Sequence, residues 1–218
     1  MNKQNSIYIG NNPLNNDRNE VNGEQVKLGN ENFFKITNVN KMRPFFMSIV
    51  SPSNHWMFIS SNGGLSAGRK NSEHALFPYY TDDKITEFAH ITGSKTILKV
   101  TKNNKTYLWE PFSNFHAGAY SISQNLYKNS YGNKVVFEEI NNDLQLAFTY
   151  QWSSSEKFGF IKQSALKNLS SQNIEVEVLD GLQNIIPHGV GEYIQNSSSN
   201  LVDAYKRSEI NQKTGLGI

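Results

Sequence analysis

Short runs of alternating apolar and polar residues, each closed by a cluster of Asn, Ser, Gly or Pro, recur through most of this chain. They set what it can fold into. The clearest case is TILKVT and KTYLW, residues 96–101 and 105–109, which flank Lys102-Asn103-Asn104. Two β-favouring runs around so short a connection of turn residues predict a hairpin. FFMSIV and HWMFIS flank Ser51-Pro52-Ser53-Asn54 in the same way. Side chains two apart on a strand share a face, so Phe45, Met47 and Ile49 are expected on one side, Phe46 and Val50 on the other. NKVVFEEI and LQLAFTYQW meet at Asn141-Asn142-Asp143, a third hairpin signal. FGFIKQSALKNL and NIEVEVLDGL meet around Ser170-Ser171-Gln172, a fourth. Within the last run Ile174, Val176 and Val178 alternate with Glu175 and Glu177, which predicts one core face and one wet face. Together these patterns predict an all-β fold of antiparallel strands, a sandwich or a large twisted β-layer fold, and no repeat suggests a propeller or solenoid.

Only one stretch reads as helix. Ser199 or Asn200 is placed to cap LVDAYKRSEI, Asp203 favours the dipole near its start, and Leu201 and Tyr205 share a face. Residues 1–27 are polar and Asn-rich, and only Ile7, Tyr8 and Ile9 can pack; they predict a loosely held arm with one edge strand. Residues 28–218 form the β domain, and GLGI at the end reads as though a strand were about to begin, as in a domain cut from a longer chain.

Composition excludes several functions. With 21 basic and 19 acidic residues the net charge is +2, so no basic block marks a nucleic-acid partner. The absence of cysteine removes disulfides, thiolate metal sites and cysteine nucleophiles. His55, His74, His90, His116 and His188 are dispersed without an HxxxH or HExxH pair, so no metal or other cofactor is expected. Gly63 and Gly68 have P-loop spacing, but Arg69 and Lys70 stand where Lys and Ser or Thr are required. Asp82-Asp83 and Glu138-Glu139 are adjacent, and neighbours on a strand point to opposite faces, so neither pair is a glycosidase pair. No nucleophile elbow is present, so no catalytic residue is assigned. No run is long enough to span a membrane and no signal-peptide core is visible, which makes the cytoplasm the expected location.

Residues 55–85, HWMFISSNGGLSAGRKNSEHALFPYYTDDKI, carry the densest chemistry. A buried-strand composition gives way to Asn62-Gly63-Gly64, where backbone can approach a neighbour closely. Charges and aromatics follow: Arg69, Tyr79, Tyr80, Asp82 and Asp83. Trp56 and Trp109 lie inside strand patterns and belong to the core, whereas Tyr79 and Tyr80 fall outside any strand and suit a surface. The expectation is a loop facing a sugar or a second domain, with Phe77-Pro78-Tyr79-Tyr80 exposing apolar area and Arg69 able to take a carboxylate bidentately.

LGNENFFKITN, SSNGGLSAGRKNSEHALFPYYTDDKI, FHAGAYSI and KQSALKNLSSQNIEVEVLDGLQNIIP, in that order, resemble the N-terminal region of cellobiose and chitobiose phosphorylases and their large relatives. The resemblance covers residues 28–195 and is best at Asn62, Gly63, Gly64, Phe115, His116, Gly118, Asn168 and Leu169. It departs at Leu65-Ser66-Ala67, where many relatives carry aromatics. It implies a twisted antiparallel β-supersandwich like galactose mutarotase, packed on a C-terminal (α/α)₆ catalytic barrel that lies outside these residues. The module would be non-catalytic. It would support carbohydrate binding, dimerisation and the active-site entrance, with Asn62, Gly63, Gly64, Arg69, Tyr79, Tyr80, Asp82, Asp83 and His116 as carbohydrate or interdomain contacts. Its implied partners are an oligosaccharide, the catalytic domain and a second copy as homodimer. Two other classes compete: a free-standing sugar mutarotase, in which His116 or His188 works with a Glu, and a simple carbohydrate-binding module.

Overall fold

Alternation builds the interior. Along strand β11 (Lys134–Asn141) every second residue, Val135, Phe137, Glu139 and Asn141, is buried. Along β12 (Leu146–Ser155) the buried set includes Leu146, Phe148, Tyr150 and Trp152. Val135 pairs with Trp152 and Phe137 with Tyr150, and the Phe137 and Tyr150 rings stack at 4.7 Å. This computed structural model describes residues 7–9, 12–14, 21–80, 82–205, 210–213 and 216–217.

β11 and β12 are central in a six-stranded sheet of order β13-β12-β11-β10-β4-β3. Its other members are β13 (Gly159–Asn168), β10 (Ile122–Asn129), β4 (Glu31–Thr37) and β3 (Asn22–Leu28). A three-stranded sheet joins β14 (Glu175–Gln183), β8 (Gly93–Lys102) and β9 (Lys105–Trp109). A second joins β5 (Phe46–Ile49), β6 (His55–Ser60) and β7 (Leu65–Arg69). Every pairing is antiparallel. One core cluster draws Leu98, Val100 and Trp109 from one small sheet and Met47, Ile49, Met57, Ile59 and Leu65 from the other. They meet Leu126, Phe137, Phe148 and Trp152 of the large sheet. The protein is an all-β sandwich, as its alternation predicted. Two small hairpin sheets also form, β1 (Ile7–Ile9) with β2 (Asn12–Leu14), and β15 (Ile210–Asn211) with β16 (Leu216–Gly217).

Three of the predicted hairpins form. In the β8–β9 turn Asn103 and Asn104 both take left-handed φ, 53° and 58°, the backbone that a two-residue hairpin loop needs. Met47 and Ile49 are buried while Phe46 and Val50 are exposed, the two faces expected.

The fourth pair is not a hairpin. β13 pairs with β12 and β14 with β8, so the chain crosses between sheets after Asn168. The crossing closes on its own side chains. Ser170 N donates to Asn168 Oδ1 at 2.9 Å, Gln172 N to Ser170 Oγ at 3.2 Å, and Asn168 Nδ2 to the Gln172 carbonyl at 2.7 Å. Ile174 and Val176 pack against the core. Val178, expected on that face, is 57% exposed on this edge strand, although its partner Leu98 is buried in the core.

Helix α1 (Asp82–Glu87) was not expected; its buried Ile85 lies against the β6–β7 turn. Helix α2 (Glu192–Tyr205) begins earlier than predicted and breaks at Ser198 (φ −143°, ψ 33°). The predicted helix follows that break. The side chains of Ser199, Asn200, Asp203 and Tyr205 lie outside the described residues, and Leu201 is exposed. Among the described residues no helix is long and apolar enough to cross a membrane.

Candidate functional site

A groove of about 1210 Å³ opens between three segments: the end of β7 with the turn after it, the β12–β13 tip, and residues 186–194. Each wall has a local cause. At the tip, Ser155 Oγ accepts the backbone N–H groups of Lys157 and Phe158. Gly159 takes a left-handed φ of 74°. The turn holds Phe158 outward, 72% exposed. Phe160 meets the His55 ring edge-on at 5.2 Å.

The second wall is tied down at two points. Ile186 N donates to the Leu76 carbonyl at 2.8 Å, and Ile186 itself is buried. Glu73 Oε2 accepts the Glu192 N–H at 3.1 Å, a negative group where the α2 dipole favours one. Gly191 leaves room for this contact: a Cβ there would sit 2.0 Å from Glu73 Oε2 and push the carboxylate aside. Tyr193, one residue into the helix, is left 79% exposed.

On the third wall Arg69 ends β7, exposed. Its Nε and Nη2 both donate to Asn54 Oδ1, at 3.3 and 3.2 Å. Ser53 Oγ and His55 Nδ1 are 2.7 Å apart. Burial, then the charge of Arg69, lowers the His55 pKa, so the ring is neutral near pH 7. His74 Nδ1 lies 2.7 Å from Asn71 Oδ1. The groove thus combines exposed rings with donors and acceptors already oriented by neighbours.

The residues singled out from the sequence do not share one site. Only Arg69 lines the groove. Asn62, Gly63 and Gly64 form the tight β6–β7 turn, with Ser60 N donating to the Gly64 carbonyl at 2.7 Å. This turn is buried under α1: Asn62 Nδ2 donates to the Thr86 carbonyl at 3.0 Å. A Cβ on Gly64 would meet the Ile85 carbonyl oxygen at 2.0 Å. Asn62 and Gly63 line a separate cavity of about 50 Å³ with Lys95, Glu110 and Tyr150, room for a few waters. Close backbone approach was the correct reason for the glycines, and the neighbour is this domain's own helix. In the Phe77-Tyr80 run, Phe77 is fully buried, contrary to the exposure expected of it. Tyr80 stacks on Phe88 at 5.0 Å, while Tyr79, 40% exposed, meets Trp56 edge-on. The side chains of Asp82 and Asp83 lie outside the described residues.

His116 is exposed, with Nε2 3.9 Å from Glu110 Oε2. The space beside it, shared with Glu139 and Tyr120, is about 20 Å³, enough for one water and not a sugar ring. Glu139 is the chain's most buried carboxylate among the described residues, 2% exposed. Burial raises its pKa against three donors, Trp109, Phe112 and Gln124. Glu138 faces the other way and receives Asn125 Nδ2 and Tyr127 Oη, both at 2.7 Å, so the adjacent pair divides between faces as predicted. Among the described residues no group of three or more His, Cys, Asp or Glu is placed to hold a metal ion.

Sequence reasoning missed His55, Phe158, Phe160 and Tyr193 as groove residues, whereas Glu73 fell within the stretch expected to face a sugar or a second domain. One signal was legible: Glu156-Lys157-Phe158-Gly159 puts an aromatic in a charged turn, where no core can claim it. The rest come together only through the crossing of the chain between sheets.

No family model matches this chain, and no curated protein matches it.

Proposed function

We propose that this chain is a non-catalytic β-sandwich module of a carbohydrate-active protein of the glycoside phosphorylase or hydrolase kind. In this proposal it holds a stretch of oligosaccharide in the groove and helps shape the approach to a catalytic domain. The observation that carries the proposal is the pair of exposed aromatics on different walls of one groove, Phe158 and Tyr193. Aromatic faces suit the C–H faces of pyranose rings, and ligand sites combine such surface with a few placed polar groups. Arg69, His74 and His188 supply those groups. The groove's 1210 Å³ exceeds the roughly 300–1,000 Å³ of a drug-sized pocket, as an extended chain of sugars needs.

A non-catalytic role fits the carboxylates. A glycosidase uses two free carboxyl groups across one bond. Of the two on this groove, Glu73 is engaged with the α2 backbone, and Glu156 is left alone. The resemblance of the sequence adds a contact of Tyr79 with the catalytic domain.

Calorimetric titration against gluco-, manno-, galacto- and xylo-oligosaccharides, neutral and acidic, tests the proposal. Binding of at least one class is expected, weakened about tenfold by Phe158→Ala or Tyr193→Ala with no change in melting temperature. Absence of binding across the panel would refute it.

A further inference from the structure

The charges around the groove narrow the class of sugar, an inference that rests on the groove being a carbohydrate site. Three cations line it, Arg69, Lys70 and Lys157, against two carboxylates, Glu73 and Glu156. Glu73 is occupied by the Glu192 N–H. Both carboxylates keep their charge and His55 carries none near neutral pH, so the lining holds one cation more than its carboxylates balance.

Arg69 is the best-formed of the three. Nε and Nη2 are both spent on one neutral acceptor, Asn54 Oδ1. That leaves the opposite fork of the guanidinium, Nη1 with the second Nη2 hydrogen, unoccupied by any carboxylate among the described residues. Two parallel N–H groups at that fork match the two oxygens of a carboxylate. Asn54 fixes the plane, so the fork is oriented before a ligand arrives. Lys157 Nζ stands 5.1 Å over one face of the Phe158 ring, placing a second cation on that face and leaving the other for stacking.

We infer that the groove takes oligosaccharides bearing carboxylates, that is, uronic-acid-containing chains. Arg69 receives one carboxylate through its free fork, Phe158 stacks under a ring, and Lys157 attracts the acid of a neighbouring residue. Lys70 adds long-range attraction.

Calorimetry would compare oligogalacturonate, oligoglucuronate and oligomannuronate, each with its carboxyl-reduced form of the same length and linkage. Poly-glutamate serves as a polyanion without sugar rings. At least one uronate should bind about tenfold or more tightly than its reduced form. Arg69→Gln should remove most of that preference, weakening the uronate far more than the reduced chain, with the melting temperature unchanged. Equal binding of acidic and reduced chains would overturn this inference and leave the carbohydrate module standing. Binding of poly-glutamate as tight as the uronate would also overturn it, and mark a surface for acidic peptide. Binding of no sugar at all would overturn both.

Discussion

The indole N–H of Trp109 donates to Glu139 Oε1 at 2.8 Å, across the middle of an apolar interior. Trp109 belongs to a three-stranded sheet and Glu139 to the six-stranded one, so the bond ties the two layers. Phe112 N and Gln124 Nε2 donate to the other carboxylate oxygen, each at 2.7 Å. A buried acid is costly unless its oxygens are satisfied, and here three donors converge on two oxygens. Glu139 is a structural carboxylate that fixes how the sheets face each other.

Glu139→Gln should therefore destabilise the protein although the shape is unchanged. Whichever way the new amide turns, its NH₂ would face a group that can only donate, the Trp109 indole or the Phe112 N–H. Leaving buried donors unpaired costs about 1–3 kcal/mol, seen as a fall in urea midpoint at pH 7. The wild type should carry an opposite pH signature. Burial raises the folded pKa above the ordinary 4.5, so this carboxyl's contribution is full below that value and declines as pH rises through the raised one. Glu139→Gln should lack that decline. Unchanged stability and an unchanged pH profile would remove the structural role.

The layers and most hairpins were legible because they depend on local facts: period-two alternation and turn residues. Val135, Phe137 and Glu139 face inward for the same reason that Glu138 faces out. Which strand pairs with which is a non-local matter. FGFIKQSALKNL and NIEVEVLDGL carry hairpin signals, yet each finds a better partner elsewhere, β12 and β8. The short α1 was invisible because a helix of six residues anchored by the buried Ile85 is too short for a periodic signal. The groove was less legible still. Its walls come from residues near 70, 158 and 190, and Arg69 was found from its own chemistry, a fork for a carboxylate within a charged and aromatic stretch.

Gly64→Ala tests whether that turn is structural. The added Cβ would lie 2.0 Å from the Ile85 carbonyl oxygen and 3.1 Å from Ala89 Cα, both backbone. Backbone cannot rotate away, so α1 must shift, and overpacking of this kind costs about 1–3 kcal/mol. Thermal unfolding should show the loss, while oligosaccharide titration of the groove stays as in the wild type. A melting temperature equal to wild type would mean that α1 is not seated on the turn.

The β8–β9 turn offers a test with two signs. Asn104 sits at φ 58°, tolerable for Asn and free of strain for Gly. Asn104→Gly should leave stability unchanged or slightly higher. Asn104→Val should lose about 1–2 kcal/mol, the cost of a Cβ-branched residue in left-handed backbone. Chemical denaturation of both variants would decide, and a harmless valine would contradict the turn geometry.

The final prediction concerns acid. Asp180 on β14 accepts Thr96 Oγ1 and Lys162 Nζ, both at 2.6 Å. Thr96 is on the neighbouring strand, but Lys162 is on β13 of the other sheet, so Asp180 links two sheet edges. Burial alone would raise its pKa, yet the bonds from Lys162, Thr96 and Ser164 together outweigh burial and hold it below the ordinary 3.8. The sign follows: its contribution is present above 3.8 and lost as pH falls through the lowered folded value. The gap in stability between wild type and Asp180→Asn should be constant from about pH 5 to 8 and close progressively in stronger acid. Lys162→Met should move the Asp180 titration upward, as followed by carboxyl-carbon NMR. If Asp180 titrates at or above 3.8 in the wild type, the link between the sheet edges does not form in solution.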